Sequence, residues 1–129
     1  MVQGDTATQM GDYASAHRYL DESLLLARAA NDLFRTAHTL HYLGNLAYCE
    51  QAYALAQIHY EQSVQLMRQL NATGDLTGPL QNLGHTYLHL GEVAHAQLLF
   101  QESMTIHQAE QNRLALAECL LGFAAVAIV

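Results

Sequence analysis

Residues 11–23 read GDYASAHRYLDES, residues 51–63 read QAYALAQIHYEQS and residues 91–103 read GEVAHAQLLFQES. The three segments lie forty residues apart and align without a gap, so the chain repeats itself. Two alanines, one large apolar residue and one serine recur in each segment: Ala14, Ala54 and Ala94; Ala16, Ala56 and Ala96; Leu20, Tyr60 and Phe100; Ser23, Ser63 and Ser103. A period of this length indicates a repeat architecture, in which each unit buries its apolar face against the next.

A second block repeats in the same phase and has helical periodicity. It reads LHYLG at 40–44, LQNLG at 80–84 and LLGFA at 120–124. Leu40, Leu43 and Ala47 follow the i, i+3, i+7 spacing of an amphipathic helix. Glycine, asparagine and acidic residues mark the turns, as they do at helix ends. The sequence predicts about seven helices, at 1–9, 12–30, 33–50, 53–70, 76–90, 93–110 and 113–128.

Composition and charge exclude several classes of protein. The chain has 129 residues, and its twelve acidic residues against five basic ones give a net charge of −7. Such a balance argues against a surface for nucleic acids or anionic membranes. The N-terminus lacks the pattern of a signal peptide, and the longest apolar run, around 120–129, is about half of a membrane span. Cys49 and Cys119 form no disulfide framework or metal-binding spacing, so we expect reduced thiols and a cytoplasmic location.

These blocks resemble the tetratricopeptide repeat. The resemblance rests on Leu43-Gly44 and Leu83-Gly84, followed by Ala47 and Tyr87, and on Ala56 and Ala96, followed by Tyr60 and Phe100. It implies an all-α, right-handed solenoid of antiparallel helix pairs, in which an A helix and a B helix alternate. The repeat is forty residues here, against the usual 34. HEAT and armadillo repeats share the length but not these residues. The whole chain, 1–129, then forms one array: a partial repeat at 1–30, repeats at 31–70 and 71–110, and a partial repeat at 111–129.

A narrower resemblance is to the long repeats of MalT-like and LuxR-type bacterial ATP-dependent transcription regulators. Peptide-responsive regulators and kinesin light chains use similar forty-residue repeats. The resemblance implies a non-catalytic module for protein–protein interaction or ligand sensing, as a fragment of a bacterial signalling or transcription regulator. The chain has no GxxxxGK[ST] phosphate loop and no helix-turn-helix, so ATPase and DNA-binding activities are not implied.

The family's pattern places a binding groove on the A helices. Carried over to this chain, the groove positions are Asp5, His38, His41, Asn45, Cys49, Gly78, Gln81, His85 and His89, and in the last A helix Glu118, Leu121 and Ala125. No Lys or Arg is among them, so the groove lacks the basic clamp with which some relatives hold a C-terminal carboxylate. Amides and neutral imidazoles can bond to the backbone of a peptide or partner helix. We therefore expect a protein or peptide partner and no cofactor.

The groove histidines also suggest a small-molecule or metal sensor as an alternative. His38 and His41 are three residues apart and His85 and His89 are four apart, so each pair shares a helix face. His38 and His89 lie near opposite helix ends, roughly 15 Å apart along the axes, so we predict no four-histidine metal site. A response to pH between 5 and 7 is the expected consequence of clustered imidazoles. No catalytic constellation is legible, and we predict that the chain is not an enzyme.

The last predicted helix is apolar almost all round. Its large apolar residues are Leu116, Leu120, Phe123, Val126 and Ile128. Exposed apolar surface of this kind marks an interface. The sequence leaves two explanations open: the chain is a fragment of a longer array, or this helix packs on another copy. We expect a homo-oligomer, through end-to-end packing or helix exchange, and a purely structural oligomerisation module is a third candidate function.

Overall fold

The computed structural model describes the backbone of residues 12–128 and the side chains of residues 12–114 and 117. Within this range the chain forms five α-helices and no strand: α1 (Tyr13–Ala29), α2 (Leu33–Cys49), α3 (Tyr53–Gln69), α4 (Thr77–His89) and α5 (Val93–Ile128). A 3-10 turn, Thr73–Leu76, leads into α4. The all-α prediction is therefore confirmed for the described residues. The division of the chain into repeats stays a prediction.

The prediction of about seven helices is not matched. The helix predicted at 1–9 lies outside the described residues. The helices predicted at 93–110 and 113–128 form one continuous helix, α5, of 36 residues. The predicted turn between them, at Gln111–Asn112, is absent, and Gln111 Nε2 instead lies 3.1 Å from His107 Nε2, one helical turn earlier.

The turns that do form depend on a few residues in the left-handed backbone region. Asn31 and Asn71 end α1 and α3, each with φ of 54°. Position 111, forty residues after Asn71, holds glutamine. Asparagine visits this region readily, whereas glutamine gains nothing there over staying helical. Gln51 does adopt a φ of 63° between α2 and α3, so tertiary packing can enforce the conformation on glutamine.

Acidic caps fix the starts of two helices. Asp12 Oδ1 accepts a hydrogen bond from the Ser15 amide at 3.2 Å, and Asp32 Oδ1 accepts one from the Arg35 amide at 3.0 Å. Each side chain satisfies an amide that the helix itself leaves without a partner. The predicted cap at Asp32 is thus confirmed.

Consecutive helices pack side by side, α1 on α2, α2 on α3, α3 on α4 and α4 on α5. Two glycines permit the closest approaches. A Cβ built on Gly44 would lie 2.6 Å from the Tyr60 ring, and one on Gly84 would lie 2.6 Å from the Phe100 ring. Only glycine fits there without displacing an aromatic side chain. The glycine in the LHYLG and LQNLG blocks therefore recurs because the large residue of the next helix covers it.

The repeated serine also has a packing role. Ser63 Oγ donates to the carbonyl oxygen of Ala37 at 2.7 Å, and Ser103 Oγ donates to that of Thr77 at 3.4 Å. Both serines are buried. Ser63 joins α3 to the first turns of α2, and Ser103 joins α5 to the first turn of α4. The same contact thus recurs forty residues later. None of the helices in the described range combines the length and the apolarity needed to cross a bilayer.

A candidate binding surface on the A helices

The predicted groove residues lie on α2 and α4, which we call the A helices. Gln81, His85 and His89 are exposed on α4, whereas His38, His41 and Asn45 are partly buried on α2. Asp5 lies outside the described residues. The predicted groove residues of α4 are therefore accessible to solvent, whereas those of α2 are partly covered by other parts of the protein.

Four side chains form a hydrogen-bonded cluster that joins α2, α3 and α4. Asn82 Nδ2 lies 3.0 Å from His41 Nε2 and donates to Asn45 Oδ1 at 3.1 Å. Tyr60 Oη donates to the same Asn45 oxygen at 2.5 Å. We call His41, Asn45, Tyr60 and Asn82 the interhelical amide cluster. It fixes the spacing of the two A helices through polar atoms on the side that carries the predicted groove residues.

The cluster determines the protonation state of His41. The Asn82 amide nitrogen is a donor, so His41 Nε2 must accept, and the ring carries its proton on Nδ1. Burial, and to a smaller extent the nearby His38, lower the pKa of His41 to about 4. His41 therefore stays neutral between pH 5 and 7. In the folded protein it therefore adds no charge to the predicted groove in the range where the clustered histidines predict a pH response.

Two members of the cluster were not predicted as site residues. Asn82 lies four residues after Gly78 and three before His85, so it shares a helix face with two predicted groove positions. That spacing is the signal in the sequence from which Asn82 could have been predicted as a site residue. Tyr60 is correctly predicted as core, since it is only 1% exposed. A buried tyrosine hydroxyl needs a hydrogen-bond partner, and here the partner is the groove residue Asn45.

The remaining groove histidines face different neighbours. His89 stacks on Tyr53 with ring centroids 4.2 Å apart, and its Nε2 lies 3.0 Å from the Tyr48 hydroxyl. The rings of His85 and Phe100 are T-shaped to one another, with centroids 5.1 Å apart, and His38 Nε2 lies 3.9 Å from Asp75 Oδ1. Among the residues described, no three His, Cys, Asp or Glu side chains are grouped so that they could hold a metal ion. The geometry therefore gives the metal-sensor alternative no support.

A second concave region lies between α3 and α5, away from the predicted groove residues. It has a volume of about 370 Å³ and is lined in part by Val64, Leu83, Leu98 and Leu99. At this region Tyr87 Oη donates to Glu61 Oε2 at 2.5 Å. Burial and this bond raise the pKa of Tyr87 to about 12, so the phenol stays neutral. The Arg68 guanidinium also bonds both oxygens of Glu102, at 2.5 and 2.9 Å, and links α3 to α5.

Comparison with known proteins supports the repeat assignment. Residues 80–110, which span most of α4 and the first half of α5, match the family model of the tetratricopeptide repeat. This match supports a tetratricopeptide-like repeat protein. Repeats of this kind generally mediate protein–protein interaction, and the fold is typically non-catalytic.

The fold is also similar to a solved structure. The crystal structure of BtubC (BKLC) from P. vanneervenii superposes with a TM-score of 0.78 at 22% sequence identity. The match covers 84% of this chain and 45% of BtubC, so the tetratricopeptide-like chain corresponds to less than half of that protein. At this identity the likeness concerns the fold alone. No curated protein matches the chain.

Proposed function

We propose that the chain is a non-catalytic interaction module that holds a peptide or a partner helix on the exposed face of α2 and α4. The observation that supports this proposal is the interhelical amide cluster. It uses polar side chains on the binding side to hold two A helices in a fixed arrangement. A surface that is already ordered loses little conformational entropy when a partner binds.

The chemistry of this face favours an uncharged partner segment. Arg35 is the single charged residue in α2 and α4 together. The cluster leaves the Nδ1 proton of His41 and the Nδ2 protons of Asn45 available, because neither nitrogen donates to another described residue. Exposed Gln81 adds a further donor and acceptor. Such groups match the amides and carbonyls of a peptide backbone better than they match a carboxylate.

The experiment selects displayed random peptides on the immobilised protein and measures their affinities by titration calorimetry. The groove variant combines His38→Ala with Gln81→Ala, and the control combines Gln62→Ala with His95→Ala on exposed sites of α3 and α5. Light scattering first establishes that both variants keep the wild-type mass. Two lost hydrogen bonds, at about 0.5–1.5 kcal/mol each, should weaken binding roughly 10-fold in the groove variant. Peptides that bind both variants equally would refute the proposed groove.

The finer assignment, also a proposal, is a part in a bacterial signalling or transcription regulator, working in the cytoplasm. The forty-residue repeat supports it. The exposed free thiol of Cys49 supports the location, because such a thiol persists in a reducing compartment. Reading the coding sequence on either side of this segment tests the assignment. A phosphate-binding loop or a helix-turn-helix in the same reading frame would support it, and a reading frame that ends at both sides would refute it.

A further inference from the structure

Positions that are buried in one repeat are exposed in the next. Val64 and Met67 of α3 are 6% and 0% exposed, because they belong to the core cluster that contains Leu80 and Leu83 of α4. Forty residues later, Met104 is 62% exposed and His107 is also exposed. The B helix α5 thus has the face that receives a further A helix, but that face is open.

The same holds for the A helices. Asn45 and Tyr48 of α2 contact Asn82 and His89 of α4. Their counterparts forty residues on, His85 and Leu88, are exposed. We call His85, Leu88, Met104 and His107 the end face. Each of its members corresponds to a residue that contacts or packs with α4 in the preceding repeat, so the end face is arranged to receive an A helix in the same register.

The chain itself contains a segment with the A-helix pattern. In the forty-residue register, Leu120 and Phe123 stand at the positions of Leu80 and Leu83, which are the α4 residues in the core with Val64. The backbone of 113–128 is helical and continuous with α5, and these sixteen residues add roughly 24 Å to the helix axis. A continuous helix cannot fold back on its own side. The segment therefore points away from the end face of its own chain.

We propose that two copies of this chain exchange residues 113–128, so that the segment of each copy lies on the end face of the other. The exchanged segment then takes the place of the A helix of a third repeat. Because each copy both gives and receives a segment, the contact closes on itself as a two-fold dimer. The occupant of the end face is thus a second copy of the chain.

The residues at 111 and 112 form the hinge of this exchange. Asn31 and Asn71, at the positions equivalent to Gln111, adopt left-handed conformations that let the next helix turn back. Asp32, at the position equivalent to Asn112, caps the helix that follows. Asn112 is suited to the same cap, and Gln111 favours the straight helix. Glutamine at position 111 therefore favours exchange over folding back.

Light scattering and sedimentation velocity on the full chain test the exchange. We expect the wild type to have twice the mass of a single 14.3 kDa chain. Met104→Glu should be monomeric, because it places a charge on the end face. Leu25→Glu, an exposed apolar residue of α1 at 71% exposure, is the matched control and should stay dimeric. Circular dichroism checks that every variant is folded. A monomeric wild type, or a dimeric Met104→Glu, would overturn the proposal.

A hinge variant separates exchange from any other dimer. Gln111→Gly permits the left-handed turn and weakens the straight helix, so the segment folds back on its own end face and the dimer is lost. A Gln111→Gly variant that keeps the wild-type dimer fraction would refute the exchange, because packing of two straight helices does not depend on this turn.

Mixing two monomeric variants gives a direct readout of exchange between chains. Met104→Glu has a damaged end face and an intact segment, whereas Phe123→Glu has the reverse. Their one-to-one mixture retains one undamaged contact, so we expect mixed dimers that neither variant forms alone. Failure to detect them, up to the highest concentration at which both variants stay soluble, would exclude exchange. None of these variants touches His38 or Gln81, so the outcome is independent of the peptide-binding test.

Discussion

At the scale of single residues, one amide controls much of the candidate binding surface. Asn82 supplies two protons that join α4 to α2, one to His41 and one to Asn45. The sequence predicted the positions of His41 and Asn45 on this face but assigned them to an open groove. It could not predict that they would bond to a third residue, because the repeat period places residues on a face without giving the distance between two faces.

Replacing Asn82 with alanine should destabilise the protein. The change leaves His41 Nε2 without its donor in a partly buried place, and Asn45 Oδ1 then accepts from Tyr60 alone among these partners. A loss of about 1–3 kcal/mol is expected in the free energy of unfolding, measured with urea. Gln81→Ala, on the exposed neighbouring position, is the control and should change it by less than about 0.5 kcal/mol. Equal effects of the two changes would contradict a structural role for the cluster.

His41 should make the fold less stable in mild acid. Its pKa is about 4 in the folded protein, against an ordinary value of 6.5, so the unfolded chain binds the proton first. The stability contributed by neutral His41 is present above pH 6.5 and is lost as the pH falls from 6.5 to 4. The difference amounts to up to about 3 kcal/mol. Urea unfolding at pH 7 and pH 4.5 measures it.

The matched variants for this pH dependence are His41→Gln and Gln81→Ala. Glutamine at 41 does not titrate, so the difference in unfolding free energy between the two pH values should shrink. Gln81 is exposed and carries no titratable group, so its replacement should leave the pH dependence as in the wild type. A His41→Gln protein with the wild-type pH dependence would show that His41 is accessible to protons in the folded state.

At the scale of the helices, small residues and turn residues account for the agreement between sequence and structure. The starts of α1 and α2 follow Asp12 and Asp32, and the ends of α1 and α3 precede Asn31 and Asn71, as predicted. The break at 111–112 was predicted wrongly. Helical periodicity continues on both sides of that point, so the pattern cannot separate one long helix from two shorter ones. The conformational preference of residue 111 decides between them.

The close contacts of the glycines predict a measurable cost. In Gly44→Ala the new methyl group would lie 2.6 Å from the Tyr60 ring, which is fully packed and bonded to Asn45. Overpacking of this kind should lower the free energy of unfolding by about 1–3 kcal/mol, seen as a lower Tm. Gly78→Ala is the matched change in α4, where the nearest atom is 3.6 Å away. It should be neutral or stabilising, and a Gly44→Ala protein with the same Tm as Gly78→Ala would disprove the packing argument.

At the scale of the whole molecule, each repeat is stabilised by packing against the adjacent repeat. The core cluster of α3 and α4 joins one repeat to the next, and the end face offers the same kind of contact without an occupant from the chain's own described residues. The sequence could predict the helical repeat and the helices on which the candidate surface lies. It could not predict a partner, because the identity of a partner depends on a few exposed side chains on a scaffold that many proteins share.

This nearest-neighbour organisation predicts that apolar residues on the same face of successive B helices differ in their effect on stability. Met67→Ala removes a side chain that is 0% exposed between two repeats, and should lower the free energy of unfolding by about 2–5 kcal/mol. Met104 is the counterpart of Val64, which lies three residues before Met67 on that face, but Met104 is 62% exposed. In dilute solution, where chains are separate, Met104→Ala should change stability by less than about 0.5 kcal/mol.

The concentration dependence of these two variants distinguishes a packed interface from an open one. Met67→Ala should lower the urea midpoint equally at all protein concentrations, because both sides of its contact belong to one chain. Met104→Ala should begin to cost stability only where the wild type dimerises, since association stabilises the folded state by mass action. A large loss of stability for Met104→Ala in dilute solution would mean that the segment 113–128 already covers the end face of its own chain. The backbone would then turn back at Gln111 instead of continuing as a straight helix.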